Sequence, residues 1–169
     1  MPAPATPSLR FAAIGLNHSH IYGQTRAMLD AGAELTAFHA VEDLLAADYA
    51  RAFPQARRVQ DRREILDDPT IALVVSATIP DVRAATAIEV MRHGKDVMVD
   101  KPGVITLDEL AAVRQVQRET GRIFSVCFSE RFENRATEKA SQLVAAGAIG
   151  RVVQTVGLGP HSLRNNPRP

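Results

Sequence analysis

Two short runs constrain the fold of this chain more than any other feature. Ile71-Ala-Leu-Val-Val-Ser76 and Val97-Met-Val99 are almost wholly apolar, with no alternating polar face. A strand that is hydrophobic on both sides must be covered on both sides, as in a parallel sheet sandwiched between helices. Between the runs, Ala84, Ile88 and Met91 repeat at helical spacing, and Gly94 closes that segment. The second run sits in Gly94-Lys-Asp-Val-Met-Val-Asp-Lys-Pro-Gly103, so Asp100 and Lys101 stand where a strand leaves the sheet. In open α/β sheets ligands bind beyond that carboxyl edge. Pro102 restricts the backbone of Lys101 to extended conformations, so its amine is aimed.

The same alternation runs through most of the chain. Leu9–Ile14 is a strand candidate, followed by Ile21, Thr25, Met28 and Leu29 on one helical face that Gly32 closes. Glu34–His39 reads as a second strand; Leu45, Tyr49, Ala52 and Phe53 then repeat at helical spacing until Pro54. Arg57–Val59 is a brief third strand, and Asp61 and Glu64 have capping-box spacing ahead of Ile65 and Leu66. Thr106 and Glu109 form a second such box, before a helix with Leu107, Leu110, Val113 and Val116 as its apolar side and Gly121 as its end. Ile123–Phe128 is a further strand. Ala136, Ala140, Leu143 and Val144 mark a last helix stopped at Gly147, and Arg151–Gly157 reads as a strand. Right-handed crossovers turn such an alternation into an α/β, doubly wound parallel sheet over residues 9–128.

Composition closes off several alternatives. A chain of 169 residues that is 46% hydrophobic and 23% charged suits one ordinary domain plus part of another. A net charge of +1, with arginines spread along the chain, gives no reason to expect a nucleic acid or an anionic membrane as partner. No stretch approaches the roughly 18 to 20 apolar residues of a membrane span. Residues 1–8 are Pro- and Ala-rich and read as a flexible leader, not a signal peptide. The single Cys127 excludes an internal disulfide and fits a reducing, cytoplasmic setting; inside an apolar run it is expected to be a buried thiol.

In a doubly wound sheet the first strand-to-helix turn carries the glycine fingerprint for a nucleotide pyrophosphate. Here the turn is Gly15-Leu-Asn-His-Ser-His20, and only the first glycine stands. Asn17 is the non-glycine residue best suited to a left-handed turn. Ser19 is positioned to cap the next helix or to bond a phosphate oxygen, and His18 lines the phosphate site or caps the turn. His20 occupies the third glycine's place, where a side chain holds helix and strand apart or points toward the ligand. His18 and His20 lack a third ligand at recognised spacing, so no metal is expected. About 20 residues on, Glu42 and Asp43 are the two candidates for gripping an adenosine ribose, with helix capping as the alternative for Asp43. No arginine lies between Arg26 and Arg51, which favours NAD over NADP.

Taken together these pieces resemble the glucose-fructose oxidoreductase/inositol dehydrogenase family, Gfo/Idh/MocA, of NAD(P)-dependent oxidoreductases. Phe11-Ala-Ala-Ile-Gly-Leu-Asn-His18 is similar to the family's first strand and turn, and Val74-Val-Ser-Ala-Thr-Ile-Pro80 to the strand and loop that cover the cofactor. Gly94–Pro102 resembles its glycine-lysine-x-valine-x-x-glutamate-lysine-proline signature, with Asp100 where the family has glutamate. Val126–Phe132 and Gly147-Ala-Ile-Gly-Arg151 resemble the crossing into a second domain.

The resemblance implies a Rossmann-like domain, then a linker helix and first strand of a truncated C-terminal α+β substrate domain over 129–169. It implies Lys101 as the catalytic lysine near nicotinamide and substrate hydroxyl, supported by Asp100. Ser76, Ala77, Thr78 and Pro80 would lie against the dinucleotide, with Gly15, Asn17, His18, Ser19, His20 and Lys101 completing its site. Arg131 matches an arginine often found after the sixth strand. The substrate is expected to be a small hydroxy compound (a sugar, a polyol or a relative), and the full-length protein to be a homo-oligomer. The family's further aspartate and histidine lie beyond Pro169, so the chain alone is expected to be catalytically incomplete; His161 reads as a loop residue. Two other functions are compatible with these residues: a dinucleotide-binding or regulatory module, and a lyase or hydrolase that uses the nicotinamide transiently.

Overall fold

A computed structural model of the chain describes residues 9–132 and 134–159. The expected leader of residues 1–8 and His161 fall outside the described residues. The chain divides into two compact units, Met1–Cys127 and Phe128–Pro169.

The first unit holds one six-stranded sheet in the order β3-β2-β1-β4-β5-β6, with every neighbouring pair parallel. Its strands are β1 (Arg10–Ile14), β2 (Glu34–His39), β3 (Arg57–Arg58), β4 (Leu73–Ser76), β5 (Asp96–Asp100) and β6 (Phe124–Cys127). Helices α1 (His20–Asp30), α2 (Asp43–Ala52), α3 (Arg63–Leu66), α4 (Pro80–Arg92) and α5 (Leu107–Thr120) connect them. This is the doubly wound, Rossmann-like sheet expected from the sequence. The strand order reverses between β1 and β4, which opens a crevice at their carboxyl ends.

Successive strand residues point to opposite faces, and here both faces are dry. Phe11 and Ala13 of β1 and Val75 of β4 pack with Ile21 of α1, Ala46 and Tyr49 of α2, and Phe53. Ala12, Ile14, Val74, Val97 and Val99 pack on the other face with Ala84, Val90 and Met91 of α4 and Val113 and Val116 of α5. That two-sided burial is why the runs at 71–76 and 97–99 carry no polar stripe.

Local signals set most boundaries. Thr106 caps α5: its Oγ1 accepts the Glu109 N–H at 3.1 Å, while the Glu109 carboxylate accepts the Thr106 N–H at 3.1 Å. Gly121 ends the helix at φ 67°, a left-handed position that costs glycine nothing. The box expected at Asp61 and Glu64 does not form. Asp61 Oδ1 accepts from the Arg63 N–H, and Glu64 turns out to pair with Arg57 at 2.8 Å. Leu107 is 83% exposed; α5 packs through Val113 and Val116, so its first residue lies outside the packed stretch. Cys127, expected to be buried, is only half-buried at the end of β6.

The second unit contains α6 (Ser129–Phe132) and α7 (Arg135–Ala145), the latter capped by Asn134 Oδ1 on the Ala136 N–H at 2.9 Å. Arg131 of α6 pairs with Glu138 of α7. The strand expected at Arg151–Gly157 is absent: residues 151–159 belong to no ladder, and Val153 and Val156 are exposed. A strand needs a neighbour to take its backbone groups, and among the described residues none stands beside this segment.

Replacing Thr106 by Ala is expected to cost about 1 kcal/mol of unfolding free energy in urea titration. Adding Glu109→Ala should cost less than its own single-variant loss, because the two side chains satisfy each other's backbone groups.

Candidate functional site

The turn after β1 is stitched to both neighbouring strands. Gly15 N–H donates to the His39 carbonyl (3.0 Å) and accepts at its own carbonyl from Ala77 N–H (3.1 Å), while His18 N–H donates to the Ala77 carbonyl (3.1 Å). Gly15 has φ 78°, and a Cβ there would meet Thr78 Cγ2 at 2.1 Å; the first glycine is thus fixed by both conformation and space.

The other turn residues act differently from the sequence expectation. No non-glycine residue among those described has a positive φ, so Asn17 is not left-handed. Its Nδ2 donates to Glu42 Oε1 at 2.8 Å instead and holds that carboxylate over the turn. Ser19 occupies the N-cap of α1 with φ −61°, an α conformation from which its hydroxyl makes no capping bond. His18 takes that task, its carbonyl accepting Ile21 N–H (3.1 Å) and its Nδ1 accepting His20 N–H (3.2 Å).

A cleft of about 280 Å³ opens at the β1/β4 reversal, near the small end of ligand pockets. It brings together four predicted residues, Gly15, Asn17, Glu42 and Thr78, and adds His39, Ala40, Arg62 and Ile79. Asp43 is not among them: it binds Arg58 Nη2 at 2.7 Å, and the same Nη2 donates to the Ala40 carbonyl at 3.3 Å. Arg58 and Arg62 therefore reach the acidic corner from β3 and beyond it, which the absence of arginines between 26 and 51 could not reveal. Each already has an acid, since Arg62 pairs with Glu89 at 3.1 Å. Pro80, the first residue of α4, is exposed, and Ser76 and Ala77 lie buried.

A dinucleotide fits this cradle. Ser76 Oγ and Thr78 Oγ1 are buried hydroxyls with no hydrogen-bond partner among the described residues, and such groups are normally satisfied. They stand beside the turn whose first residue cannot carry a side chain.

The second part of the site is a knot of charge at the end of β5. Asp100 is 2% exposed. Its Oδ1 accepts from Lys101 N–H (2.8 Å) and from His20 Nδ1 (2.9 Å); its Oδ2 faces His18 Nδ1 (3.5 Å) and Arg83 Nη2 (3.7 Å). Arg83, from the first turn of α4 and also 2% exposed, donates to the Thr78 carbonyl (2.6 Å), the Asp100 carbonyl (3.0 Å) and the Pro102 carbonyl (2.7 Å). One guanidinium thus ties the loop after β4 to the loop that carries Lys101. The Lys101–Pro102 bond is cis, and a Cβ on the following Gly103 would meet Val126 Cγ2 at 2.5 Å. Lys101 itself is partly exposed.

Burial pulls the His18 imidazole below its ordinary value of 6.5; His20, Lys101 and Arg83 act in the same direction and Asp100 opposes them. Burial, with Arg62 nearby, does the same to His39. His18, His20 and Asp100 place three potential ligand atoms within 4.8 Å of one another, so the partner that sequence spacing lacks is supplied from 80 residues away. Arg83 and the His20–Asp100 contact were not readable from the sequence, because neither has a local motif.

Residues 9–128 match the family described as "Oxidoreductase family, NAD-binding Rossmann fold". The chain is similar to scyllo-inositol 2-dehydrogenase (NAD(+)) of Bacillus subtilis strain 168, 33% identical over 98 residues, covering 58% of this chain and 28% of that protein. It is also similar to the same organism's scyllo-inositol 2-dehydrogenase (NADP(+)), 31% identical over 84 residues, covering 50% of this chain and 24% of that one. A crystal structure from Erwinia carotovora atroseptica SCRI1043, described as an oxidoreductase, superposes with a TM-score of 0.91 at 40% identity, over 94% of this chain and 47% of that one. The chain thus spans less than half the length of each of these relatives.

Arg83→Met should lower unfolding free energy by ~3 kcal/mol in urea titration, since it strands three carbonyls and removes a cation from beside a buried carboxylate. A pH effect follows from the two depressed imidazoles. The unfolded chain binds more protons than the folded one just below pH 6.5, so their stabilising contribution is whole above that value and shrinks as pH falls. The drop in melting temperature on acidification should be smaller in a His18→Asn/His39→Asn double variant.

Proposed function

This chain belongs to the Gfo/Idh/MocA family of oxidoreductases, and from that premise we propose that it is the cofactor-holding part of a dehydrogenase acting on a sugar, a polyol or a related hydroxy compound. The observation that carries the reading is the pair of unpartnered buried hydroxyls, Ser76 and Thr78, set against a glycine cradle at the strand-order reversal. Gly15, Asn17, Glu42, Ser76 and Thr78 would hold the dinucleotide, its pyrophosphate over the N-terminus of α1. When bound, a nicotinamide accepts or returns a hydride.

The chain's own part is placement and charge. Lys101 stands at the mouth of β5, where an ammonium favours the alkoxide that develops as a hydroxyl loses its proton. Asp100 and Arg83 position it by fixing the backbone on either side. NAD is the cofactor we assign over NADP, because Glu42 presents a carboxylate where a ribose hydroxyl would be welcome and a 2′-phosphate repelled. Arg58 and Arg62 do not offset this, each being paired with its own acid. The relatives named for scyllo-inositol support the polyol class. Residues 129–169 are assigned to the opening of a substrate domain, and the whole protein to a cytoplasmic homo-oligomer. Among the described residues no helix is long and apolar enough to cross a membrane.

Titration of NADH fluorescence against the full-length protein should show saturable binding, weakened at least ~10-fold by Gly15→Ala, where the new methyl meets Thr78. Lys101→Ala should keep that affinity and lose roughly 100-fold or more of turnover with NAD and scyllo-inositol or another polyol. The NAD-over-NADP affinity ratio should fall in Glu42→Ser. Absence of NADH binding at millimolar cofactor overturns the reading.

A further inference from the structure

Asn17 stands at the second glycine's place in the turn after β1, yet the backbone asks nothing special of it. No non-glycine residue among those described has a positive φ. The reason for an asparagine lies in its side chain. Its Nδ2 donates to Glu42 Oε1 at 2.8 Å, joining residues 25 positions apart. A carboxylate can only accept, so the amide must turn its nitrogen to the acid.

The end of β2 gives this contact its purpose. The strand closes at His39, and the next residue, Ala40, is buried and carries no polar side chain. The acid that lines the cleft is Glu42, three residues past the strand. It is exposed and sits at the N-cap of α2, where its side chain makes no capping bond. A glutamate so placed has several rotamers open to it and loses that freedom when a ligand fixes it. Asn17 restrains it beforehand. The amide is itself launched from fixed backbone: the Gly15 carbonyl accepts from Ala77 N–H, and His18 N–H donates to the Ala77 carbonyl, both at 3.1 Å.

The chemistry of the anchor matters as much as its position. Other acids nearby are held by arginines, Asp43 by Arg58 at 2.7 Å and Glu89 by Arg62 at 3.1 Å. Those pairs cancel charge. A neutral amide fixes Glu42 and leaves its charge whole, and the bond takes one carboxylate oxygen while leaving the second for a ligand hydroxyl. Ribose hydroxyls can donate to such a group, whereas a 2′-phosphate meets an uncancelled like charge.

We propose that Asn17 is the positioning residue for nucleotide choice: it acts through Glu42, holding that carboxylate charged and oriented over the cleft, and so sets the preference for NAD over NADP. This rests on the dehydrogenase reading and on the NAD assignment above. Asn17 then has a role that a fingerprint glycine could not fill.

The test is a double-variant cycle on the full-length protein, with NADH and NADPH titrated by fluorescence. Asn17→Gly, which restores the fingerprint, should weaken NADH about 5-fold without weakening NADPH, so the affinity ratio falls by at least that factor. In a Glu42→Ser background the same change should move the ratio by less than about 2-fold, since the group it positions is gone. A residue that merely shapes the turn moves both nucleotides together. Equal losses for NADH and NADPH, an unchanged ratio, or a ratio loss that recurs in full on Glu42→Ser each overturn the proposal.

A second measurement uses no nucleotide. In crystals of the unliganded full-length protein the Glu42 carboxylate should lie within hydrogen-bond distance of Asn17 Nδ2, and in Asn17→Gly it should leave that place. A carboxylate that stays put in the variant overturns the proposal. Failure of the dehydrogenase reading looks different: neither nucleotide binds the unsubstituted protein at millimolar concentration.

Discussion

A carboxylate buried at the mouth of a parallel sheet must be supplied with donors, and much of this site follows from how Asp100 obtains them. Its own strand gives the Lys101 N–H, the turn after β1 gives His20, and α4 gives Arg83. Three segments that sequence alone keeps far apart are drawn to one anion. The isolated burial of that charge would be costly; with these partners it becomes the point that registers the turn, the helix and the lysine loop against one another. Arg83 extends the same logic to the backbone, donating to the carbonyls of Asp100, Pro102 and Thr78.

The fold was legible because its signals are local. A run such as Ile71–Ser76 reports its own two-sided burial, and Thr106 with Glu109 reports a helix start within four residues. Where a local signal had a competitor it misled. Glu64 had Arg57 of β3 to bind, and Asp61 turned its carboxylate to the Arg63 N–H instead of the N–H of Glu64. Val153 and Val156 have strand character, but strand pairing is a property of two segments, and among the described residues none pairs with theirs. The positions of Gly15 and Lys101 were readable, since one occupies a fixed place in a turn and the other follows β5 and precedes a proline.

What the sequence hid is pairwise and distant. Asn17 invited a conformational role and has an electrostatic one, holding Glu42. Arg58 and Arg62 approach the acidic corner from outside the window in which a phosphate-binding arginine is sought. The His20–Asp100 contact joins two positions that each look like a weakened motif. In the structure they complement one another: the residue that spoils the glycine turn is the one that completes the shortened acid.

The strand order has a consequence for how such a protein can diverge. Glu42 and Arg62 hang from the β2–β3 side of the sheet, whereas Asp100 and Lys101 hang from β5, with β1 and β4 between them. Thr78 links the two, lining the cleft and accepting from Arg83 through its carbonyl. On the proposed function, a change at the first edge can therefore alter the nucleotide chosen while the β5 edge stays intact, and the β5 edge can be rebuilt while the first is kept. The sheet works as a spacer that lets two traits be inherited apart.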